Sequence, residues 1–497
     1  MLRFLFISLF ILQYFVSKAQ NSIPYHPEKV FLPEKIAKDI DLLQGFLYDY
    51  HPNIFRYTTK NTFDMAFQNL KSNLRVMNER QIRIALRKIV AKIGCGHTNI
   101  IPSQLFIKYY TKNDYSNLPL EVQIFNDKLL ISNNLSSDSS IVLGSELLSV
   151  NGWQSNDLVQ HILDMEGSDG LNHSYKSYEI AQNFRYFCSL LFGMHNSFFV
   201  VIKDSTQTIK MMQLFEKEED SIVTIQKNKP QEITKQALKQ ANATINQPAS
   251  WAIEQKYKKL KIDTTNSLAI FRIDEFEGKK YKKFYTKIFK TLHEQKIDKL
   301  VIDLRGNGGG KMFDACNLLT YLLKEPFSYE FKRKNIKVRF RKYMTDSKFL
   351  IGLMPLAFRF VAKKIIRNDS TIYIVSDKPQ QKYIFKGEIF VLTDGGTFSA
   401  ASFVASYLKQ LSKATLIGTE TGGSESGTNA MLFAFLTLPE TQIILRLPLY
   451  RINHILPLQD IGNGVMPSFT VNYTIQEIID KQDKEIEKVY ELLRIKQ

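Results

Sequence analysis

The chain has 497 residues, of which 44% are hydrophobic and 23% charged, and its formal net charge is +17. This composition excludes a generally disordered chain, and the length indicates roughly two to four domains. The eight histidines are scattered and the three cysteines form no CxxC motif. Neither a metal site nor a disulfide framework is therefore predicted, and no cofactor is expected.

The first 20 residues, MLRFLFISLFILQYFVSKAQ, predict a secretory signal peptide. Arg3 precedes an apolar stretch from Phe4 to Val16, and the small residues Ser17 and Ala19 follow. An uncleaved membrane anchor is the alternative, but this stretch of about 13 residues is shorter than the roughly 20 that a spanning helix needs. We therefore expect cleavage near Ala19 or Gln20 and an exported protein, either periplasmic or extracellular.

Residues 27–115 show the apolar spacing of amphipathic helices and predict a helical N-terminal region. The last of these helices is followed by Gly94-Cys95-Gly96, which predicts a helix end that delivers His97 into a loop. A lone histidine is more often structural than catalytic, so its role depends on what the fold brings near it. The apolar stripes consist of Ile36, Ile40, Leu43, Phe46 and Leu47, and of Ile82, Ile84, Leu86, Ile89 and Ile93.

Residues 117–205 change to strand patterns, at Leu118–Ile124, Leu129–Ser132 and Phe198–Ile202. Between them, LGSELLSVNG at 143–152 resembles a segment of PDZ domains, which recognise peptide ends by adding a strand to a sheet edge. The alternative is any other small β-rich domain. The polar stretch 206–262 is interpreted as a connector.

Residues 263–497 alternate strands with helices, which predicts an α/β domain with helices packed on a sheet. Tyr450–Leu456 is predicted as a loop. The predicted elements are strands at Leu268–Ile273, Leu300–Leu304, Ile389–Leu392 and Ala414–Gly418, helices at Lys279–Gln295, Met312–Leu323 and Ser399–Leu408, and a hairpin of Ala430–Leu438 with Gln442–Leu449.

Basic residues are concentrated in 331–368, inside this last domain. A solvated surface insertion is the favoured interpretation, because charge runs usually lie at the surface. The alternative is a basic lid, or a patch for peripheral contact with anionic membranes or acidic substrates. Nucleic acid is not expected as a partner, because the chain is predicted to be exported and carries no recognisable binding motif.

Ser399 begins a helix directly after a buried strand, where unpaired N–H groups and the helix dipole favour a nucleophile and its oxyanion. The simpler interpretation is an ordinary helix-start serine.

Arg305-Gly-Asn-Gly-Gly-Gly310 follows another buried strand, and its glycines allow backbone N–H groups to approach a ligand. It lacks the GxGxxG and GxxxxGK[ST] spacings of nucleotide loops, so a phosphate loop is a weaker interpretation than an oxyanion hole.

Four motifs occur in order: LVIDLRGNGGG at 300–310, TFSAAS at 397–402, IGTETGG at 417–423 and NGVMP at 463–467. With GCGHT at 94–98, they resemble the C-terminal processing (tail-specific) peptidases and their tricorn-like relatives. With the PDZ-like segment, the resemblance covers most of the mature chain. It implies a multi-domain α/β fold with a crotonase-like (Clp-like) catalytic domain, and it implies that Ser399 is the nucleophile.

The family contains two catalytic arrangements. Tail-processing members use a Ser–Lys dyad whose lysine lies in a GKG segment, but Ser424 stands there in this chain. No lysine lies between Lys413 and the region beyond residue 480. Other relatives use a histidine base with an acidic partner, and one branch takes that histidine from the upstream segment that His97 matches. The resemblance therefore implies that His97 deprotonates Ser399.

The acidic partner in those relatives precedes the GV.P motif, and Asp460 is the nearest match. Glu420 is the second candidate, and His454 is a rival base that matches no family motif. The chain departs from the family at two further positions, with Ser402 where Glu is usual and Cys95 where Asp is usual.

The oxyanion donors implied by the resemblance are the backbone N–H of Ala400 and that of Gly308 or Gly309, in a loop shaped by Asp303, Arg305 and Asn307. We therefore expect an exported serine endopeptidase acting on protein or peptide substrates. A catalytically inactive protein that binds peptides or apolar ligands on the same scaffold is the alternative, motivated by the missing lysine. An esterase or amidase for small molecules is a third.

Overall fold

The computed structural model describes residues 25–112, 117–126, 128–193, 195–215, 252–335, 342–345, 358, 362–380, 382–458 and 462–495. The predicted signal peptide and Asp460 lie outside the described residues. Within these ranges, none of the helices combines the length and the apolar character needed to cross a membrane. The three cysteines are free and buried.

Helices dominate the described N-terminal residues. The helix that leads to His97 starts with a capping box, in which Asn78 accepts from the backbone of Gln81 and the Gln81 side chain accepts from the backbone of Asn78. The apolar stripes of the first and third helices are buried, as their spacing predicts, except that Ile84 is half-buried. The elements are β1 (Val30–Phe31), α1 (Pro33–Tyr50), α2 (Lys60–Ser72), β2 (Met77–Asn78), α3 (Glu79–Ala91), β3 (Asn99–Ile101) and α4 (Gln104–Lys112).

An antiparallel sheet with its own hydrophobic core follows. Its strand order is β4-β5-β6-β8-β9, with the short β7 paired to β6. The PDZ-like character of this unit stays an interpretation of its sequence. The elements are β4 (Leu120–Phe125), β5 (Lys128–Asn134), β6 (Glu146–Val150), β7 (Trp153–Gln154), α5 (Ser155–Met165), α6 (His173–Phe192), β8 (Phe198–Lys203) and β9 (Ile209–Leu214).

A seven-stranded sheet of order β10-β11-β12-β13-β18-β19-β22 carries the nucleophile. Its strands from β12 onwards are parallel, so the loops after β13 and β18 leave the same edge. The elements are β10 (Ile253–Gln255), β11 (Lys258–Asp263), β12 (Leu268–Ile273), α7 (Tyr281–Glu294), β13 (Lys299–Asp303), α8 (Met312–Leu322), β18 (Glu388–Thr393), α9 (Ala400–Tyr407), β19 (Thr415–Gly418), β22 (Phe469–Thr470), α10 (Ile475–Ile479) and α11 (Lys484–Ile495).

A second seven-stranded sheet has the path β15-β20-β21-β14-β17-β16, and β3 of the N-terminal region pairs with β21. The predicted loop at Tyr450–Leu456 is wrong for Tyr450–His454, because these residues extend β21 and pair with both β20 and β14. Within the basic stretch 331–368, residues 331–334 lie in β14 and residues 363–366 form β16. The strands are β14 (Phe327–Lys334), β15 (Met344–Thr345), β16 (Lys363–Ile366), β17 (Ser370–Asp377), β20 (Gly427–Thr437) and β21 (Ile444–His454).

One hydrophobic core joins the N-terminal helices to both seven-stranded sheets. It includes Ile40 of α1, Leu86 of α3, Ile302 of β13 and Leu445 of β21, all almost fully buried. The pairing of β3 with β21 and this shared core hold the loop of His97 against the catalytic domain.

Candidate active site

Ser399 lies at a sharp turn between β18 and α9. Its backbone has φ 55° and ψ −118°, an uncommon conformation for a residue other than glycine. The surrounding chain comes close enough that a Cβ on Gly309 would lie 2.7 Å from Ser399 Cβ, and one on Gly423 would lie 2.9 Å from Ser399 N. Two glycines therefore make room for the turn that presents the serine hydroxyl.

The structure brings His97 to Ser399 across 302 positions of sequence: the His97 Nε2 atom lies 3.2 Å from Ser399 Oγ. The histidine is delivered by the turn after α3, where Gly94 adopts φ 66°, and by the pairing of Asn99 with Arg446 of β21. The separation is at the upper end of the range for a nucleophile and its base.

The other imidazole nitrogen contacts a threonine. Thr428 Oγ1 lies 3.3 Å from His97 Nδ1 and donates to Asp169 Oδ2 at 2.5 Å. A hydroxyl has a single proton, so a threonine that donates to Asp169 meets His97 as an acceptor. This places the imidazole proton on Nδ1 and leaves Nε2 as the acceptor for the Ser399 hydroxyl.

Asp169 is a buried carboxylate that also holds the histidine loop. Its Oδ1 atom accepts from the backbone N–H of Gly96 at 3.1 Å. Burial raises the pKa of Asp169, while the hydrogen bonds from Thr428, Gly96 and Ser424 and the charge of Arg451 act in the opposite direction. Asp169 therefore contacts the imidazole of His97 indirectly, through the hydroxyl of Thr428.

The imidazole of His97 is neutral in this environment. Burial lowers its pKa to about 3, and the positive charge of Arg446 contributes in the same direction. The ring is stacked with Phe398 at a centroid distance of 4.7 Å and with Phe433 at 6.0 Å. Tyr175 stacks on Phe398 in turn, at 4.5 Å. Aromatic packing therefore holds the base in position and excludes water from it.

The predicted oxyanion donors do not all remain available. Among the described residues, no backbone acceptor pairs with the N–H of Gly308 or of Ala400. The N–H of Gly309, in contrast, already donates to Asn307 Oδ1 at 2.8 Å. Of the two predicted alternatives, Gly308 therefore has the free backbone N–H within the described part of the structure, and Gly309 allows the close approach to Ser399.

Asn307, predicted to shape the glycine loop, is fully buried and connects three segments. Its side-chain amide donates to the carbonyl of Ile273 at 2.8 Å, and its own carbonyl accepts from Phe398 N at 2.9 Å. The second of these bonds ties the loop directly to the turn of Ser399. Asp303 accepts hydrogen bonds from Arg272 and Arg305, which closes the base of the loop.

The other predicted site residues have structural partners. Glu420 accepts from Ser174 Oγ at 3.0 Å and from Gly464 N at 2.7 Å, so its carboxylate holds two loops together. His454 Nδ1 lies 2.6 Å from the carbonyl oxygen of Glu425, and its ring packs against Phe403 and Tyr407. Neither contact involves Ser399 or His97.

The side chains at the positions that depart from the family also have hydrogen-bond partners. Ser402 Oγ donates to the carbonyl of Ser399 at 2.8 Å, and Cys95 accepts from Thr98 Oγ1 at 3.2 Å. Ser424, at the position of the family lysine, is buried with its Oγ 3.1 Å from Ser426 Oγ. Within the described part of the chain, His97 is the side chain that hydrogen-bonds the Ser399 hydroxyl.

Sequence reasoning missed Asp169 and Thr428. Asp169 follows α5 and Thr428 lies near the start of β20, 259 positions later. The only local signal was the sequence Gly167-Ser168-Asp169-Gly170, which is typical of a loop and does not identify a catalytic partner.

The fold and this Ser–His geometry are those of a serine-type peptidase, which is a hydrolase. Residues 267–489 match the model of peptidase family S41. No functionally curated protein matches the sequence.

Solved structures share the architecture at low identity. The crystal structure of mature CPAF is similar with a TM-score of 0.61 and 14% identity, over 93% of this chain and 98% of that one. Mature CPAF in complex with lactacystin matches with the same values. A serine-to-alanine mutant of CPAF matches with a TM-score of 0.63 and 14% identity, over 93% and 97%. At this identity the likeness establishes the fold alone.

Proposed function

We propose that the protein is an exported serine endopeptidase that cleaves peptide bonds through an acyl-enzyme on Ser399, with His97 as the general base. The observation that carries the proposal is the 3.2 Å separation of His97 Nε2 and Ser399 Oγ. The family match of residues 267–489 supports the reaction class. The signal-peptide pattern of residues 1–20 supports export to the periplasm or the extracellular space.

The reaction begins when His97 Nε2 takes the proton of Ser399 as its oxygen attacks the substrate carbonyl. The N–H groups of Ala400 and Gly308 stabilise the resulting oxyanion. His97 then gives this proton to the leaving amine, and the acyl-enzyme remains. A water molecule, deprotonated by the same nitrogen, hydrolyses the ester and restores Ser399.

Asp169 and Thr428 act as positioning residues. Burial disfavours a charged imidazole, so the transient imidazolium needs compensation. Thr428 accepts from Nδ1–H while it donates to Asp169, and this polarised pair stabilises the positive charge as it develops. The PDZ-like unit is a candidate for binding substrate peptides, and the basic stretch 331–368 is a candidate for peripheral contact with anionic membranes.

A fluorophosphonate probe tests the nucleophile and its base. Wild type is expected to be labelled, whereas Ser399→Ala and His97→Ala are not. Ser205→Ala and His293→Ala change the same residue types at exposed positions and should be labelled like wild type. Peptide mapping of the labelled protein must place the adduct on Ser399, and an adduct elsewhere would refute the assignment.

The second candidate is a catalytically inactive binding protein on the same scaffold. The serine at position 424 favours it, because the lysine of the Ser–Lys branch is absent there. A folded wild type that is not labelled and cleaves no peptide, but retains peptides on an affinity column, would favour this candidate over the peptidase.

A further inference from the structure

Arg446 lies beside the proposed catalytic pair, at the junction of three strands. On β21 it stands opposite Phe435 of β20 and opposite Asn99 of β3. Directly paired residues and their i±2 neighbours share one face of a sheet, so Arg446 shares the face of Phe433. The guanidinium carbon lies 3.7 Å from the centroid of the Phe433 ring, which is itself stacked with His97.

The charge of Arg446 has no anionic partner among the described residues: its guanidinium forms no ion pair with a carboxylate and no hydrogen bond there. Burial lowers the pKa of Arg446 to about 10, so the group still carries its charge at neutral pH. The glycine-loop residue Arg305 differs, since Asp303, Asp483 and Glu485 surround it.

An arginine withdrawn from water without a carboxylate is costly, and contact with one phenyl ring offsets only part of that cost. Arg446 is nevertheless partly exposed, as are Phe433 and Asn99 on the same face. This partly exposed face borders the imidazole of His97 through the ring of Phe433. A planar group with several N–H donors suits a carboxylate, which it can bind through two hydrogen bonds.

We propose that Arg446 binds a carboxylate of the peptide substrate close to the scissile bond and thereby sets the sequence preference of the peptidase. This inference rests on the proposed peptidase function. The carboxylate belongs either to an Asp or Glu side chain or to the C-terminus of the peptide. Its binding would also neutralise a charge that opposes protonation of His97, so an acidic substrate would gain in turnover as well as in binding.

A peptide library tests the preference without knowledge of the natural substrate. Wild type is incubated with a proteome-derived library, half of it amidated at the C-terminus, and the cleavage sites are read by mass spectrometry. Enrichment of Asp or Glu at one position in both halves identifies a side chain as the ligand. Cleavage at a fixed distance from free C-termini, lost on amidation, identifies the terminus. A cleavage profile with neither feature overturns the proposal.

Arg446→Gln and Arg446→Lys then test the residue itself. For a matched pair of amidated peptides that differ by Glu against Gln at the enriched position, wild type should prefer Glu by at least about tenfold in kcat/KM. If the terminus is the ligand, the matched pair is the free acid against the amide. Arg446→Gln should abolish the preference, and Arg446→Lys should retain part of it.

The matched control is Arg494→Gln, an equal change of charge at an exposed position of α11, and it should behave as wild type. Labelling of Ser399 and cleavage of the uncharged peptide show that the Arg446 variants are folded. If Arg446→Gln keeps the same preference as wild type, the proposal for Arg446 is wrong, whereas the proposed peptidase function is unaffected. If the probe does not label Ser399 of the wild type, the proposed peptidase function itself is wrong.

Discussion

The hydroxyl of Thr428 donates to the carboxylate of Asp169 over 2.5 Å and faces Nδ1 of His97 at 3.3 Å. A carboxylate bound directly to the imidazole would fix its tautomer in one step, whereas here a neutral hydroxyl transmits the effect. This arrangement of Asp169, Thr428 and His97, here called the relay, depends on the single proton of the Thr428 hydroxyl. Thr428 can accept a hydrogen bond from His97 only while that proton is donated to Asp169.

Removal of this hydroxyl should lower turnover more than binding. In Thr428→Val the imidazole loses the partner of Nδ1, and we expect kcat to fall by about 10- to 100-fold with little change in KM, as for other groups that orient a catalytic histidine. Thr428→Ser keeps the hydroxyl and should retain most activity. Steady-state kinetics on a cleaved peptide compare the two variants, and equal loss in both would indicate that packing, rather than the relay, is the cause.

Gly309 and Gly308 should differ sharply in their tolerance of a side chain. At Gly309 the φ of 103° and a Cβ 2.7 Å from Ser399 Cβ make alanine both strained and overlapping. Gly309→Ala should therefore abolish labelling of Ser399, and backbone strain alone should lower the free energy of unfolding by about 1–3 kcal/mol. A Cβ at Gly308 meets nothing within 4 Å, so Gly308→Ala should fold normally and keep its N–H donor. Probe labelling and urea denaturation measure both effects, and a fully active Gly309→Ala would contradict the close approach.

Acid should destabilise the fold through buried histidines. Burial lowers the pKa of His51, His97 and His454 to about 3, from an ordinary value of 6.5. Their contribution to stability is therefore complete above pH 6.5 and is lost as the pH falls from there towards 3, because only the unfolded chain binds the proton. Each histidine should lower the free energy of unfolding by about 1.4 kcal/mol per pH unit in this window.

This dependence can be assigned to one residue. His454→Gln should reduce the slope of unfolding free energy against pH by about 1.4 kcal/mol per unit below pH 6, whatever its effect on stability at neutral pH. His293→Gln alters an exposed histidine and provides the control. Urea denaturation at several pH values gives the slopes, and an identical slope in His454→Gln and wild type would exclude the assignment.

The buried ion pair of Lys258 and Asp314 should tolerate replacement of both residues better than the loss of one. Lys258 Nζ donates to Asp314 at 2.6 Å and to the carbonyl of Glu277 at 2.9 Å, and both side chains are fully buried. Lys258→Met leaves Asp314 without its counter-ion and should cost about 3–5 kcal/mol of unfolding free energy. The double variant Lys258→Met/Asp314→Leu should recover much of that loss. A double-mutant cycle by urea denaturation measures the coupling, and additive losses would show that the pair is not coupled.

The sequence by itself determined the parts of the site that depend on neighbouring residues. The apolar run of β12, predicted at Leu268–Ile273, is observed with those bounds. The helix start at Ser399 and the glycine loop after β13 could be predicted because the local backbone conformation at each place favours particular residue types. Parallel pairing of β13 with β18 then brings the two loops to one edge of the sheet.

Only the tertiary structure decided which groups surround the imidazole. Tyr450–His454 was predicted as a loop because its local pattern is ambiguous, yet pairing on both sides makes it a strand. Asp169 comes from the loop after α5, Thr428 from β20 and Arg446 from β21, and each is an ordinary residue in its own segment. Their proximity to His97 arises from long-range sheet pairing and a shared core, and the burial that sets the pKa of the base exists only once that core has formed.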